Sequence, residues 1–197
     1  MKIVGITGGI GSGKSTIARY FNERYYVPVY YADKEAKTLM NTDALRGQII
    51  NLLGDKAYIN NTLDRKYIAS KVFKDSKLLE QLNKIVHPAV GAHFEKWCDA
   101  QEAPYVLKEA AILFENGTQS LCDFVILVTA PEDIRIQRIL ERDQTSIEEI
   151  KNRIDKQWDD FKKIPLADFV IENIDLEISK KRVSEIHLQL LAAPINT

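Results

Sequence analysis

An α/β fold built on a parallel sheet is what this sequence predicts, and three observations carry that expectation. Five apolar runs of strand length recur along the chain, stretches with helical spacing lie between them, and the runs are near-continuously apolar rather than alternating. Strands of that kind are covered on both faces, as in a parallel sheet whose crossover helices lie above and below it, so the expected layers are helix, sheet and helix. With 197 residues and 45% hydrophobic content, the chain can fill one substantial core and still carry an inserted lobe.

The first strand is expected at Ile3 to Thr7, and directly after it stands Gly8-Gly9-Ile10-Gly11-Ser12-Gly13-Lys14-Ser15. Glycines let successive backbone N–H groups turn inward around phosphate oxygens, and the helix expected from Lys14 to Arg24 adds the positive end of its dipole. Lys14 is placed to bridge the β and γ phosphates as a point charge, and the Ser15 hydroxyl to take a Mg²⁺ coordination position. Strand before, helix after, lysine and serine together make this a nucleoside triphosphate loop, and the fold class is therefore P-loop NTPase-like. The loop alone does not name the acceptor, because kinases, ATPases and GTPases share it.

The second strand spans Val27 to Tyr31, with Pro28 marking an edge or entry segment. Asp33 follows it, so its carboxylate is expected at the sheet edge beside the loop. There it could orient an acceptor hydroxyl and take its proton, or instead cap the helix Lys34 to Met40. About seventy residues without a clear strand come next, with helical spacing at Asp43 to Leu53, Asp64 to Phe73 and Leu78 to Ile85. That is too long for a connection, so residues 34–100 are expected to form a helical substrate lobe, and residues 1–33 and 101–197 the nucleotide-binding core. His87-Pro88 should interrupt the helical pattern, since proline disfavours helix in the residue before it. Phe73, Trp97 and Trp158 read most simply as packing residues.

The third strand, Tyr105 to Ala110, carries Glu109 near its carboxyl end, either to hold the water shell of Mg²⁺ or to pair with Lys108; Glu115 is a second acid at the same edge. The fourth strand is Phe124 to Thr129. A helix over Glu132 to Arg142 places Arg135, Arg138 and Arg142 on one face. A polar connection leads to a further helix from Ile147 to about Trp158 with Arg153 and Gln157. Residues 139–160 are expected to act as a small helical lid that brings guanidinium groups to the transferring phosphate, the plainer alternative being a solvated helix face. The fifth strand, Phe169 to Ile171, and a long helix over Leu176 to Leu191 close the domain, leaving a frayed tail from Ala192 to Thr197.

Composition narrows the partners. Lys plus Arg total 27 against 28 for Asp plus Glu, so no global attraction to nucleic acid or an anionic membrane is expected. Ile3 to Ile6 is far too short for a signal peptide, and no stretch approaches the ~20 apolar residues of a membrane span, which points to a cytoplasmic protein. The two cysteines, Cys98 and Cys122, lack metal-ligand spacing and are expected to be free thiols.

Taken in order, the motifs resemble those of the dephospho-coenzyme A kinases over nearly the whole chain. The matching stretches are Ile6 to Thr16, Tyr31-Ala32-Asp33-Lys34, Ile59 to Phe73, Ile85-Val86-His87-Pro88 and Ile112-Leu113-Phe114-Glu115. The Arg138 and Arg142 pair, Arg153 with Gln157, and Ala167 to Asn173 continue the series. The resemblance implies transfer of the ATP γ-phosphoryl group to the ribose 3′-hydroxyl of dephospho-coenzyme A. It implies Asp33 as base or hydroxyl-orienting group, and Gly11, Ser12, Gly13, Lys14, Ser15 and Thr16 as holders of the triphosphate and Mg²⁺. It further implies Arg142 with Arg138 behind it as lid arginines, Asn173 near the adenine, and His87 and Phe114 on the side of the coenzyme A precursor. The family usually has proline before Leu-Leu-Phe-Glu and aspartate two positions earlier, where this chain has Ala111 and Glu109. The acid is thus retained as the longer side chain.

Two rivals fare worse. A nucleoside monophosphate kinase needs an arginine set near the second strand, where the lobe offers only Arg46 and Arg65. A GTP-binding switch needs Asp-x-x-Gly and Asn-Lys-x-Asp. No aspartate stands three residues before a glycine, and Asn83-Lys84-Ile85-Val86 lacks the final acid.

Overall fold

The structure, a computed structural model, describes residues 1–72 and 75–194; Phe73 and the tail from Ile195 to Thr197 lie outside the described residues. In chain order, β1 (Lys2–Thr7) leads through the glycine loop to α1 (Lys14–Tyr25), and β2 (Val29–Tyr31) runs straight into α2 (Ala32–Met40). Then come α3 (Asp43–Leu53), a hairpin of β3 (Tyr58–Ile59) and β4 (Thr62–Leu63), α4 (Arg65–Val72) and α5 (Ser76–Asp99). The chain returns through β5 (Tyr105–Glu109), β6 (Phe124–Thr129), α6 (Glu132–Arg142), α7 (Ile147–Ile154), α8 (Asp160–Lys163), β7 (Phe169–Glu172) and α9 (Leu176–Ala192).

The expected five-stranded parallel sheet is present, in the order β2-β5-β1-β6-β7. Its burial on both faces can be read along β6. Ile126 and Val128 point into a cluster with Val4, Ile6, Phe21 and the α9 residues Val183, Ile186 and Leu190, while Val125 and Leu127 point the other way, onto Leu113 and Phe114. Side chains alternate with period two, and both sets are buried, which is why the sequence shows an unbroken apolar run. Register places Ile6 opposite Glu109 on one side and Thr7 opposite Leu127 on the other, so the loop leaves the middle of the sheet at its carboxyl edge.

The chain divides into two compact units, residues 1–31 with 101–197, and residues 32–100. The second has its own apolar core, in which Leu45, Ile49 and Leu53 of α3 meet Ile68 and Val72 of α4 and Leu82 and Val86 of α5.

Two expectations about this unit are corrected. Helix α5 does not break at His87-Pro88 but continues through them for 24 residues, starting from an Asp75 cap whose carboxylate accepts from the N–H groups of Lys77 and Leu78. Proline costs its helix one backbone hydrogen bond, but His87 and Pro88 are on the exposed side, where water can serve the orphaned carbonyl. Leu82, Val86 and Phe94, buried four and eight residues apart, hold the helix together by packing. The unit also contains a hairpin the sequence reading lacked. Asn60 and Asn61 both adopt positive φ, 48° and 65°, the backbone of a two-residue hairpin turn, and Asn-Asn between Tyr58-Ile59 and Thr62-Leu63 was its signal.

In the first unit, α7 ends at Ile154 rather than near Trp158. Asp159 starts a new helix by accepting from the Lys162 N–H, and the chain between the two helices turns. Cys98 and Cys122 form no disulfide, and among the described residues no helix is long and apolar enough to cross a membrane.

Candidate functional site

The loop after β1 closes on itself through the Ser12 N–H, which donates to the Gly9 carbonyl at 3.0 Å, and it hands over to α1 at Gly13. Gly13 caps that helix with φ +89°, a left-handed backbone that glycine adopts without steric cost, and a Cβ built there would sit 2.2 Å from Asn173 Nδ2. The first turn of α1 therefore presents Lys14 and Ser15 at the positive end of a helix dipole, with amides not all used within the helix. Ser12 Oγ is buried and has no hydrogen-bond partner among the described residues.

Side chains from distant elements hold this loop from behind. Asn173, just past β7, donates from Nδ2 to the Ser12 carbonyl at 2.8 Å, and its Oδ1 accepts from the Ser179 hydroxyl at 3.1 Å. Arg138 donates to the Asn173 carbonyl at 2.8 Å and, at 3.4 Å, to the Ser12 carbonyl. Arg135, only 8% exposed, donates from Nε to the Ile10 carbonyl at 2.8 Å, and its guanidinium lies so close to Gly9 that a Cβ there would be 2.4 Å away. Asp160 faces the same charge. Burial lifts its carboxyl pKa, and the pull of Arg135 and Lys163 opposes the lift. Gln157 accepts from the Ile10 N–H at 2.8 Å.

In front of the loop, Glu109 ends β5 and is buried at 5% exposure. Its Oε1 accepts from the Ser15 hydroxyl at 3.2 Å and lies 3.5 Å from Lys14 Nζ. The lysine and the carboxylate offset each other's desolvation, which is how an acid is tolerated at the end of an apolar strand. Tyr31, opposite Glu109 in the register, has its hydroxyl pKa raised, first by burial and then by the Glu109 charge.

The three arginines of α6 divide. Arg135 and Arg138 turn onto the loop, while Arg142 is exposed and grips Asp143 with two bonds of 2.8 and 2.9 Å. That pairing holds the Asp143 carboxyl below the usual range and raises Arg142. Arg153 approaches the same carboxylate at 3.9 Å.

Other expected residues are placed differently. Phe114, which the resemblance sets on the side of the coenzyme A precursor, is 3% exposed and packs with Leu113, Val125 and Leu127. Glu115 forms a buried ion pair with Lys163 at 2.9 Å and accepts from the Trp158 N–H at 3.0 Å. Asp33 is not the N-cap of its helix. α2 begins one residue earlier, at Ala32, which puts Asp33 in the first turn, two residues beyond Tyr31. His87 lies midway along α5, on its exposed side. The sequence reading missed the loop-holding positions of Arg135 and Gln157. Two glutamine-accessible peptides 147 and 46 positions away leave no local trace, whereas a buried-side arginine on an amphipathic helix was visible in the spacing.

A family model described as dephospho-CoA kinase matches residues 2–177 of the chain. A dephospho-CoA kinase of Bacteroides fragilis is 38% identical over 172 residues, covering 86% of this chain and 83% of that protein. Among solved structures, TT1252 from Thermus thermophilus superposes with a TM-score of 0.90 at 32% identity and 98% coverage of both chains. Dephospho-CoA kinase from Campylobacter jejuni superposes with a TM-score of 0.68 at 25% identity, covering 95% of this chain and 96% of that one.

Proposed function

We propose that this chain, which belongs to the dephospho-CoA kinase family, transfers the γ-phosphoryl group of ATP to the ribose 3′-hydroxyl of dephospho-coenzyme A, the last step of coenzyme A formation. The observation that carries the phosphoryl-transfer part of the reading is the gathering of Lys14 and Ser15 around the Glu109 carboxylate at the head of the glycine loop, and the acceptor rests on the family match.

The residues have the following roles in this proposal. The amides from Gly11 to Thr16 cradle the triphosphate, and Lys14 exchanges its Glu109 partner for phosphate oxygens. A phosphoryl group passes through a loose transition state, so positioning and charge supply most of the catalysis. The 3′-oxygen forms a bond to the γ-phosphorus as the bond to the β,γ-bridging oxygen breaks. ADP leaves, and the hydroxyl proton goes to Asp33. Arg142 is the mobile cation of residues 139–160, exchanging Asp143 for the transferring phosphate. Arg138 and Asn173 keep the loop in shape, with Asn173 on the side of the nucleoside. Residues 34–100, His87 among them, receive the coenzyme A precursor. Phe114 takes a packing role in place of a substrate contact. A cytoplasmic location is part of the same proposal, consistent with a step that consumes ATP.

Mg²⁺ fits this donor set. No group of three or more His, Cys, Asp or Glu residues able to hold a metal exists among the described residues, but one hydroxyl and one carboxylate beside phosphates is the sparse arrangement Mg²⁺ accepts. Ser15 would hold it directly and Glu109 through water, and it would supply neutralisation of charge on the β and γ phosphates.

The test is a coupled ADP-release assay with dephospho-coenzyme A, AMP and adenosine offered as acceptors. Turnover should follow dephospho-coenzyme A, and preference for AMP would overturn the acceptor. Asp33→Asn should lower kcat by about 10²–10⁴-fold, the usual contribution of a proton-accepting group, with ATP affinity nearly unchanged. An unchanged kcat would reduce Asp33 to a helix-start residue.

A further inference from the structure

We infer that Gln157 is a positioning residue for this reaction, acting through the Ile10 peptide to set the phosphate loop in its binding geometry. The inference rests on the phosphotransfer reading above, and it concerns how the loop is made ready for the nucleotide.

Four of the residues from Gly8 to Gly13 are glycines, so the backbone there has little intrinsic preference and its peptide planes turn easily. Two consecutive planes are nevertheless fixed from outside. The Ile10 N–H donates to Gln157 Oε1 at 2.8 Å, and the Ile10 carbonyl accepts from Arg135 Nε at 2.8 Å. In a trans peptide the N–H and the preceding C=O point in opposite directions. Holding the Ile10 N–H therefore aims the Gly9 carbonyl the other way, where it accepts from the Ser12 N–H at 3.0 Å and closes the turn. Holding the Ile10 carbonyl likewise aims the Gly11 N–H away from Arg135. Gln157 governs the first plane and Arg135 the second.

The chemistry of the position calls for an amide. While Oε1 accepts from Ile10, Nε2 reaches the Ala111 carbonyl at 3.4 Å, just past the end of β5, and the Thr7 hydroxyl from the end of β1 shares that carbonyl at 3.4 Å. A planar amide offers one acceptor and one donor side by side and so spans the two peptides; a carboxylate would repel the second, and a hydrocarbon would serve neither. Gln157 itself sits in the turn between α7 and α8 and is only half-buried, so little packing depends on it.

Gln157→Met keeps the side-chain volume and removes both hydrogen bonds; Gln157→Ala removes the volume as well. ATP binding is measured by calorimetry without any acceptor, and the Michaelis constants for ATP and dephospho-coenzyme A are then measured separately. Loss of one such bond, with its peptide free to turn, should weaken ATP binding by about five- to tenfold. The proposal is supported if Met and Ala weaken ATP binding alike while the constant for dephospho-coenzyme A stays within about twofold; should Ala not fold, Met decides. It is overturned if Met binds ATP like the parent chain, which would leave packing as the role. It is equally overturned if both substrates' constants rise together with loss of folded protein. An incorrect acceptor would show separately, as absent turnover of dephospho-coenzyme A by the parent chain, and would leave the calorimetry intact.

Discussion

Replacing Lys163 with methionine isolates the energetics of the ion pair that anchors the segment carrying Gln157. Lys163 ends α8 with its side chain fully buried, and its ammonium lies 2.9 Å from Glu115 Oε1, on a side chain 12% exposed. The Trp158 N–H also binds that carboxylate, whereas Glu115 Oε2 has no hydrogen-bond partner among the described residues. Methionine keeps the length of the lysine stem, so packing is largely preserved and the cation alone is lost. The remaining carboxylate is out of water with little compensation, a situation that costs about 3–5 kcal/mol. For a chain of this size, with about 2–4 °C per kcal/mol, the midpoint should fall by about 6–20 °C. Glu115→Gln removes the negative charge but retains an acceptor for Trp158. Because attraction and desolvation nearly cancel in a buried pair, the double variant should lie within about 2 kcal/mol of the parent, well above the sum of the two single losses. Urea unfolding of the four proteins measures this. A loss below about 1 kcal/mol for Lys163→Met, or additive effects in the double variant, would refute the reasoning.

Two further outcomes follow from the geometry. Gly13→Ala must place a Cβ 2.2 Å from Asn173 Nδ2 on a backbone at φ +89°, so Asn173 should be displaced from Ser12 and ATP binding weakened by at least about tenfold, corresponding to about 1–2 kcal/mol of strain; calorimetric binding within twofold of the parent would contradict it. His187 stacks on Tyr25 at 4.0 Å and shares a hydrogen bond with the Tyr105 hydroxyl at 2.8 Å, and burial lowers its pKa. Below its unfolded value of about 6.5 the unfolded chain therefore binds the proton first, so stability declines as pH falls from about 6.5 towards the lower folded value. His187→Gln should flatten the dependence of Tm on pH between 7 and 5, and parallel curves for both proteins would exclude His187 as the source.

The loop, the strand before it and the helix after it were legible because every signal is local. Glycines permit the backbone, the apolar run makes the strand, and Lys14 and Ser15 follow at fixed spacing. The same holds for the five strands, whose continuous apolar character is the imprint of burial on both faces. Local signals misled at Pro88, where packing of Leu82, Val86 and Phe94 outweighs a preference of the dipeptide. At Asn60-Asn61 a local signal was present but went unread.

What the sequence determined on its own is a triphosphate loop on a parallel sheet, together with an order of motifs specific enough to point to one kinase family. Tertiary structure alone decided that Glu109 meets Lys14 and Ser15 from 94 positions beyond the serine, that Asn173 reaches Ser12 across 161, and that Gln157 and Arg135 take the two sides of Ile10. The reason is physical: backbone preference and hydrophobic period act over a few residues, whereas these contacts exist only once the crossovers bring β5, β7 and α6 to the edge of the sheet where β1 ends.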